Sequence, residues 1–321
     1  MAMHRGVIME FGFYLPSSGP TARPEPLAEI ARRGDRLGFH SMVAGDHILV
    51  PKSVDSPYPY TVGGVFSGAP SGEYFEQLTV LTFLAGITQN IRLVPSVMIV
   101  PYRNPLLAAK ILATIDVLSN GRLTLGVGVG WMEEEFQALD APPFAERGAV
   151  TNEYLQAFKE LWTAENPTFN GKYYQFSDIN FLPKPVQKPH PPIWVGGQSR
   201  RAIRRAAELG NGWHPVGTIP AAPMEPEDLA QDLVRLRRYA EDAGRDPAEL
   251  DVAMKAPLYD PDITGSGSRR RFAGEPEQVL QDIQTYTDVG VTHIIFDIRS
   301  DELNQTTDRM AWFAEDIMAQ T

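Results

Sequence analysis

The 321-residue chain contains no cysteine, which excludes disulfides, thiolate zinc sites and thiol nucleophiles. No apolar run approaches the ~20 residues that cross a bilayer, and the first residues lack a signal-peptide core, so a cytoplasmic protein without a membrane partner is expected. Basic charge is scarce. Against 40 Asp and Glu stand 29 Lys and Arg, a formal net charge of −11 with the signs interspersed, and nucleic acid is not an expected partner. The six histidines are scattered without metal-ligand spacing, and no metal site is expected. Also missing are a Ser/Gly linker, a charge block and an internal repeat, so positions 1–321 read as one domain. Length alone would suggest about two domains, but α/β barrels commonly reach about 250 residues or more as a single unit.

What is present is organised around residues 91–131. Two runs with the apolar, β-branched character of buried strands, 91–100 and 122–129, flank the 3.6-period segment Pro105–Leu118, the pattern of a parallel βαβ crossover. In the second run Gly126, Gly128 and Gly130 alternate with Leu125, Val127 and Val129, so one face carries apolar side chains and the other almost nothing. Glycine weakens a strand interior and is explained where something must come close, either packed protein or a flat ligand. Further strand-like runs at 7–15, 39–44, 193–196, 212–216, 250–257 and 293–298 alternate with helical periodicity. Eight strands, each followed by a helix, predict an α/β fold, a (β/α)8 TIM barrel with loop insertions, and place the site on the loops at the strand C-termini. Residues 48–72, rich in Pro, Gly, Ser and Tyr, form a loop long enough to cover such a site.

Three stretches suit that face. Gly196-Gly197-Gln198-Ser199-Arg200-Arg201 joins a strand to a helix N-terminus, where free N–H groups and the helix dipole attract anions. A bound phosphate would offset the two arginines there; the alternative is that both point to solvent. The stretch is neither a P-loop nor a GxGxxG, and Glu133 breaks that pattern after Gly128 and Gly130. Asp46-His47 follows the second strand, where His47 can transfer a proton and Asp46 can orient it; a capping Asp beside a packed His is the alternative. His214, beside Trp213 at another strand end, is the second choice for the pocket. The run Glu133-Glu134-Glu135 starts a helical turn, where negative charge is favourable without any functional reason. Arg269-Arg270-Arg271, in a Gly/Ser-rich stretch, reads either as a lid for a polyanionic tail or as a solvated loop.

The fragments FGFYLP, GDH, IRLVPSVMIVPYRNP, DVLSNGRLTLGVGVGW, PKPVQKPHPPIWVGG and ELGNGWHP, in that order, resemble the bacterial luciferase-like flavin and deazaflavin oxidoreductases over roughly residues 9–298. The similarity looks closest to the coenzyme F420-dependent branch. It implies a flavin-type ring across the strand C-termini, with a non-prolyl cis peptide at Ser96–Val97 pressing backbone against it and Val129 and Gly130 bordering it. Gly196, Gly197 and Ser199, with Gln198 and Arg200, would hold the cofactor phosphate. Asp46 and His47 match a pair beside the reactive carbon. Trp131 stands where sugar-phosphate dehydrogenases of the branch carry glutamate, which argues against a sugar phosphate; with Trp213 and the aromatic loop Tyr58–Phe66 it suggests an apolar or planar substrate, the alternative being that either tryptophan is core. The resemblance implies hydride transfer between coenzyme F420 and a small organic molecule, with an FMNH2-dependent monooxygenase or a non-catalytic flavin-binding protein as alternatives. It also implies a homodimer formed through segments 74–88 and Pro105–Leu118.

Overall fold

The structure, a computed structural model, describes residues 9–66, 68, 72–258 and 269–321. The chain runs β1 (Glu10–Tyr14), α1 (Pro24–Leu37), β2 (Ser41–Ala44), α2 (Gln77–Ala85), β3 (Arg92–Pro95), β4 (Met98–Ile99), α3 (Pro105–Leu118) and β5 (Leu125–Gly128). There follow α4 (Glu133–Ala138), α5 (Arg147–Thr163), a hairpin of β6 (Phe169–Asn170) and β7 (Gln175–Phe176), β8 (Ile193–Gly196), α6 (Arg200–Leu209) and β9 (Gly212–His214). The last elements are α7 (Pro226–Asp242), β10 (Asp251–Pro257), α8 (Pro276–Val289), β11 (His293–Asp297) and α9 (Leu303–Asp316). Positions 7–8 of the first expected strand, 67 and 69–71 of the long loop and 265–268 of the Gly/Ser-rich stretch lie outside the described residues. Among the described residues no helix is long and apolar enough to cross a membrane.

Nine parallel strands form one sheet in the order β3-β2-β1-β11-β10-β9-β8-β5-β4. β3 and β4 are two halves of a single stave: β3 pairs with β2, β4 pairs with β5, and a bridge from Leu93 to Leu123 draws the two edges together. The eight staves counted from the sequence are therefore those of a nearly closed barrel. Helix starts follow local chemistry. Asn104 accepts the N–H groups of Leu106 and Leu107 to cap α3, Ser199 caps α6 through the N–H of Ala202, and Gly38 ends α1 in the left-handed region. The apolar faces of these helices close on the outward side chains of the staves, as Ala108, Ala109, Leu112 and Ala113 of α3 do with no measurable exposure.

The expected strand 91–100 is broken where the Ser96–Val97 peptide is cis. The Ser96 N–H still completes the ladder with the Ala44 carbonyl, and beyond the break the Ile99 N–H goes to the Asp46 carboxylate. This bulge explains the glycines. A Cβ on Gly126 would stand 2.2 Å from the Pro95 carbonyl oxygen, one on Gly128 2.5 Å from the Val97 side chain, and one on Gly196 2.8 Å from the same valine. Packed protein, the bulge of the third stave, thus fills the space those glycines leave. Because the obstacle at Gly126 is backbone, Gly126→Ala is expected to cost about 3 kcal/mol, as core overpacking does. The check is the urea midpoint at constant m; an unchanged midpoint would mean that the bulge can yield.

Candidate active site

The C-terminal ends of the staves surround a cavity of about 500 Å³ to which all eight contribute. Its floor is the bulge. Val97 projects between Gly128 and Gly196, and Ser96 is fixed from below by His214. The Ala253 carbonyl can only accept, so the His214 Nδ1, 2.5 Å away, donates; Nε2 then accepts from the Ser96 hydroxyl at 2.9 Å. Burial, with Lys255 adding repulsion, lowers the His214 pKa to about 3 and keeps that tautomer neutral. His214 is therefore a support under the floor, although it also lines the cavity.

Asp46 and His47 both line the cavity but do not form the expected pair. Asp46, with its side chain only 1% exposed, accepts both guanidinium arms of Arg103 at 2.8 Å and the Ile99 N–H at 2.8 Å. It anchors the strand that leaves the bulge, and Arg103 is held in turn by Glu76 at 2.7 Å. The carboxylate that orients His47 is Glu135, fully buried, 2.9 Å from Nδ1. Glu135 also accepts from Tyr102 Oη at 3.0 Å and from the N–H groups of Ile48 and Leu49 at 2.8 and 3.3 Å. A carboxylate holding that many donors is an acceptor, so His47 Nδ1 carries the proton toward Glu135 and Nε2 is the other ring nitrogen. Glu135 corrects the reading of residues 133–135 as a simple helix start. Met132, Glu135, Phe136 and Leu139 follow i, i+3, i+4, i+7 spacing, which marks Glu135 as the run's inward member.

The acidic run also straps down the long loop. Glu134 accepts from the N–H groups of Asp55 and Ser56 at 2.7 and 2.9 Å, and the Glu133 N–H reaches Ser56 Oγ at 3.0 Å. The strapped loop presents Tyr58 and Phe66 to Trp131, with ring centroids 4.9 and 5.2 Å apart, while His47 packs on Tyr74 at 5.0 Å. Trp131 thus belongs to the cavity wall. Trp213 does not: it is fully buried, and its indole N–H donates to the Gly197 carbonyl at 2.7 Å. Successive side chains of a strand face opposite ways, so His214 points inward and Trp213 outward; the latter supports the turn after β8 instead of touching a ligand.

At that turn Gly196 and Gly197 line the cavity, and Val129 and Gly130 border it across the floor. Ser199 caps α6, the Gln198 amide donates to the Val216 carbonyl, and Arg200 and Arg201 are exposed. The N–H groups of Arg200 and Arg201, the first of the helix, have no intrahelical partner. The basic run is largely engaged elsewhere. Arg269 and Arg271 both bind Asp282 of α8, at 2.7 and 3.1 Å, and Arg271 reaches Glu225, so these two tie their loop to α8.

Sequence reasoning passed over a third set. Tyr14, Lys255, Asp297 and Arg299, from β1, β10 and the end of β11, line the cavity. Arg299 grips Asp297 through two bonds of 2.7 Å. Lys255 Nζ and the Arg299 guanidinium lie 5.2 and 5.1 Å from the Tyr14 ring. Burial, helped by Arg299, lowers the Lys255 pKa to about 8, and burial raises Tyr14 well above the phenol range. Lone charged residues at inward positions of the apolar runs 250–257 and 293–298 were the available signal.

The family model for luciferase-like monooxygenases matches residues 3–260. An FMNH2-dependent dimethylsulfone monooxygenase of Pseudomonas putida is 30% identical over 251 residues, covering 71% of this chain and 69% of its own. An F420-dependent glucose-6-phosphate dehydrogenase of Segniliparus rotundus is 26% identical over 322 residues, covering 87% and 90%. The crystal structure of monooxygenase RslO1 from Streptomyces bottropensis superposes with a TM-score of 0.78 at 25% identity, covering 97% of this chain and 99% of that one.

Proposed function

The chain belongs to the luciferase-like monooxygenase family, and from that premise we propose that it transfers a hydride between coenzyme F420 and a small organic substrate. The observation that carries this reading is the buried Glu135–His47 pair beside the Val97 floor, a proton-transferring group next to a shelf for a flat ring. The residues present fit such a cofactor. The glycines at 128 and 196 let the Val97 bulge stand between them as the floor, since a Cβ at either would meet that valine, and the cavity wall is mainly apolar and aromatic. In this reading Val97, Val129 and Gly130 support the ring. Gly196, Gly197 and the free N–H groups at the start of α6 receive the phosphate, with Ser199 holding the helix end in shape.

When bound, the reduced deazaflavin supplies the hydride from C5; the protein supplies position and a proton. Glu135 keeps the proton on His47 Nδ1, so Nε2 is the atom that exchanges protons with the substrate. A His47 protonated at Nε2 gives its proton to the oxygen of a reduced carbonyl, and a neutral His47 takes one when an alcohol is oxidised. Tyr58, Phe66 and Trp131, strapped over the mouth, exclude water during this exchange. The exposed Phe83 of α2 and Leu107 and Leu118 of α3 suit the proposed homodimer. A cytoplasmic location belongs to the same proposal.

Titration of the protein with coenzyme F420 and with FMN, followed by cofactor fluorescence, tests the reading; tight binding of F420 alone is expected. The FMNH2-dependent relative supports a second reading, oxygenation with FMNH2 and O2 in the same cradle. Tight binding of FMN alone, with substrate-dependent oxygen uptake, would replace the first reading by the second.

A further inference from the structure

We propose that Lys255 and Arg299 form an anion-binding subsite facing the same cavity as the aromatic wall, and that the substrate is a planar aromatic molecule bearing an ionised oxygen, a carboxylate or a phenolate. The inference deepens the hydride-transfer reading by naming its acceptor class. It starts from a charge imbalance. Of the charged residues lining the cavity, Asp46 is taken by Arg103 from outside it. What is left is Lys255 and Arg299, two positive charges, against the single negative charge of Asp297, whose side-chain bonds are all made with Arg299. Among the described residues Lys255 Nζ has no carboxylate within bonding distance, only the Tyr14 ring at 5.2 Å. Arg299 uses Nε and Nη2 on Asp297, leaving Nη1 uncommitted among the described residues. A partly buried cation is costly unless an anion answers it, and in a chain of net charge −11 an uncompensated cation beside a second one is not background.

The cofactor phosphate has its own corner at the end of β8, separated from β10 by the β9 stave. The opposite requirement, a flat apolar body, is set by Trp131, Tyr58 and Phe66, whose centroids lie within 5.2 Å of one another. The two walls belong to one cavity: Tyr14, whose ring lies 5.2 and 5.1 Å from Lys255 and Arg299, lines it together with Tyr58, Phe66 and Trp131. A ring lying against Trp131 therefore has a cationic edge within reach of the same closed loop.

Calorimetric titration with 2-naphthoate, its neutral isostere 2-naphthamide, and cyclohexanecarboxylate tests this without any cofactor. The wild type is expected to bind naphthoate about tenfold or more tightly than the amide, the size of a charge-assisted hydrogen bond, and more tightly than the non-aromatic acid. Lys255→Met should erase the acid-over-amide preference and Lys255→Arg should keep it. Raising the pH from 7 to 9.5 should weaken naphthoate and leave the amide unchanged, as Lys255 loses its proton near 8. Of the groups facing Lys255, His214 from β9 stays neutral, Tyr14 from β1 stays protonated, and Asp297 and Arg299 from β11 stay charged. Equal affinities for acid and amide, no binding of the acid, or a preference that survives in a folded Lys255→Met would overturn the proposal. If Lys255→Met does not fold, Lys255→Arg and the pH series decide. Failure here leaves the F420 titration standing, and failure of that titration leaves this subsite standing.

Discussion

Replacing His47 by alanine is expected to lower turnover by about 10²–10⁴-fold, the usual worth of a positioned general acid–base group, and Glu135→Gln by a large part of that. The second effect follows from the geometry of one carboxylate. Glu135 Oε1 receives two backbone N–H groups, from Ile48 and Leu49, and neither can become an acceptor. A glutamine must therefore put its oxygen there and its NH2 at the place of Oε2, against Tyr102 Oη and His47 Nδ1. The Tyr102 hydroxyl can turn and accept. His47 can comply only by giving up the Nδ1 proton, which moves it to Nε2 and leaves the wrong tautomer facing the substrate. Nitrogen NMR of His47 should show the exchange of protonated nitrogens, and the pH profile of kcat should change shape while cofactor affinity holds. Asp46→Asn serves as the contrast: it weakens the Arg103 anchor and lowers stability but leaves the His47 tautomer and the pH profile as they are. A Glu135→Gln enzyme with wild-type kcat and profile would remove His47 from the proposed chemistry.

The comparison between Asp46 and Glu135 also shows what was legible in the sequence. Strand and helix positions come from periodicity within a dozen residues, and these matched: Pro105–Leu118 and Ile193–Gly196 coincide with the observed elements. The alternating glycines were legible as a place of close approach, but what fills the space, the Val97 bulge, comes from a neighbouring stave. Partners across the barrel are a different kind of fact. His47 and Glu135 are 88 positions apart, and nothing local distinguishes Glu135 as a partner from the adjacent Asp46. Trp213 and His214 fail as a pair for a simpler reason, since neighbours on a strand face opposite sides. Lys255 was readable as a lone cation on an inward position, and it was passed over because the apolar run around it was read as strand alone.

Acidification from pH 7 to pH 5 is expected to remove about 5 kcal/mol of folding stability, through three histidines inside the barrel. Burial, the His293 neighbour and Arg92 lower His40 to about 3; burial and Arg92 lower His293 to about 4; burial and Lys255 lower His214 to about 3. The rings form one chain of tilted and edge-on contacts with Trp194: His40 to His293 at 4.9 Å, His293 to Trp194 at 4.9 Å, and Trp194 to His214 at 5.7 Å. All three are depressed below the unfolded value near 6.5. Above that pH both states are neutral and stability is intact; as pH falls the unfolded chain gains protons that the barrel refuses, so stability is lost between about 6.5 and 3–4. At pH 5 each of the three sites costs about 2 kcal/mol; Glu10 and Asp251, raised by burial, act in the opposite direction, and His190, outside this set of rings and lowered by burial, acts in the same one. Carboxylates held low, such as Asp282 and Asp297, titrate further down and do not contribute in this window. Against a total of about 5–15 kcal/mol for a typical domain, the loss should bring the urea midpoint at pH 5 close to zero denaturant. His40 Nδ1 is buried with no hydrogen-bond partner, so His40→Phe can remove one titration without breaking a bond and should recover about a third of the loss. Equal midpoints at pH 7 and pH 5 in the wild type would mean that water or rearrangement lets these histidines protonate inside the folded barrel.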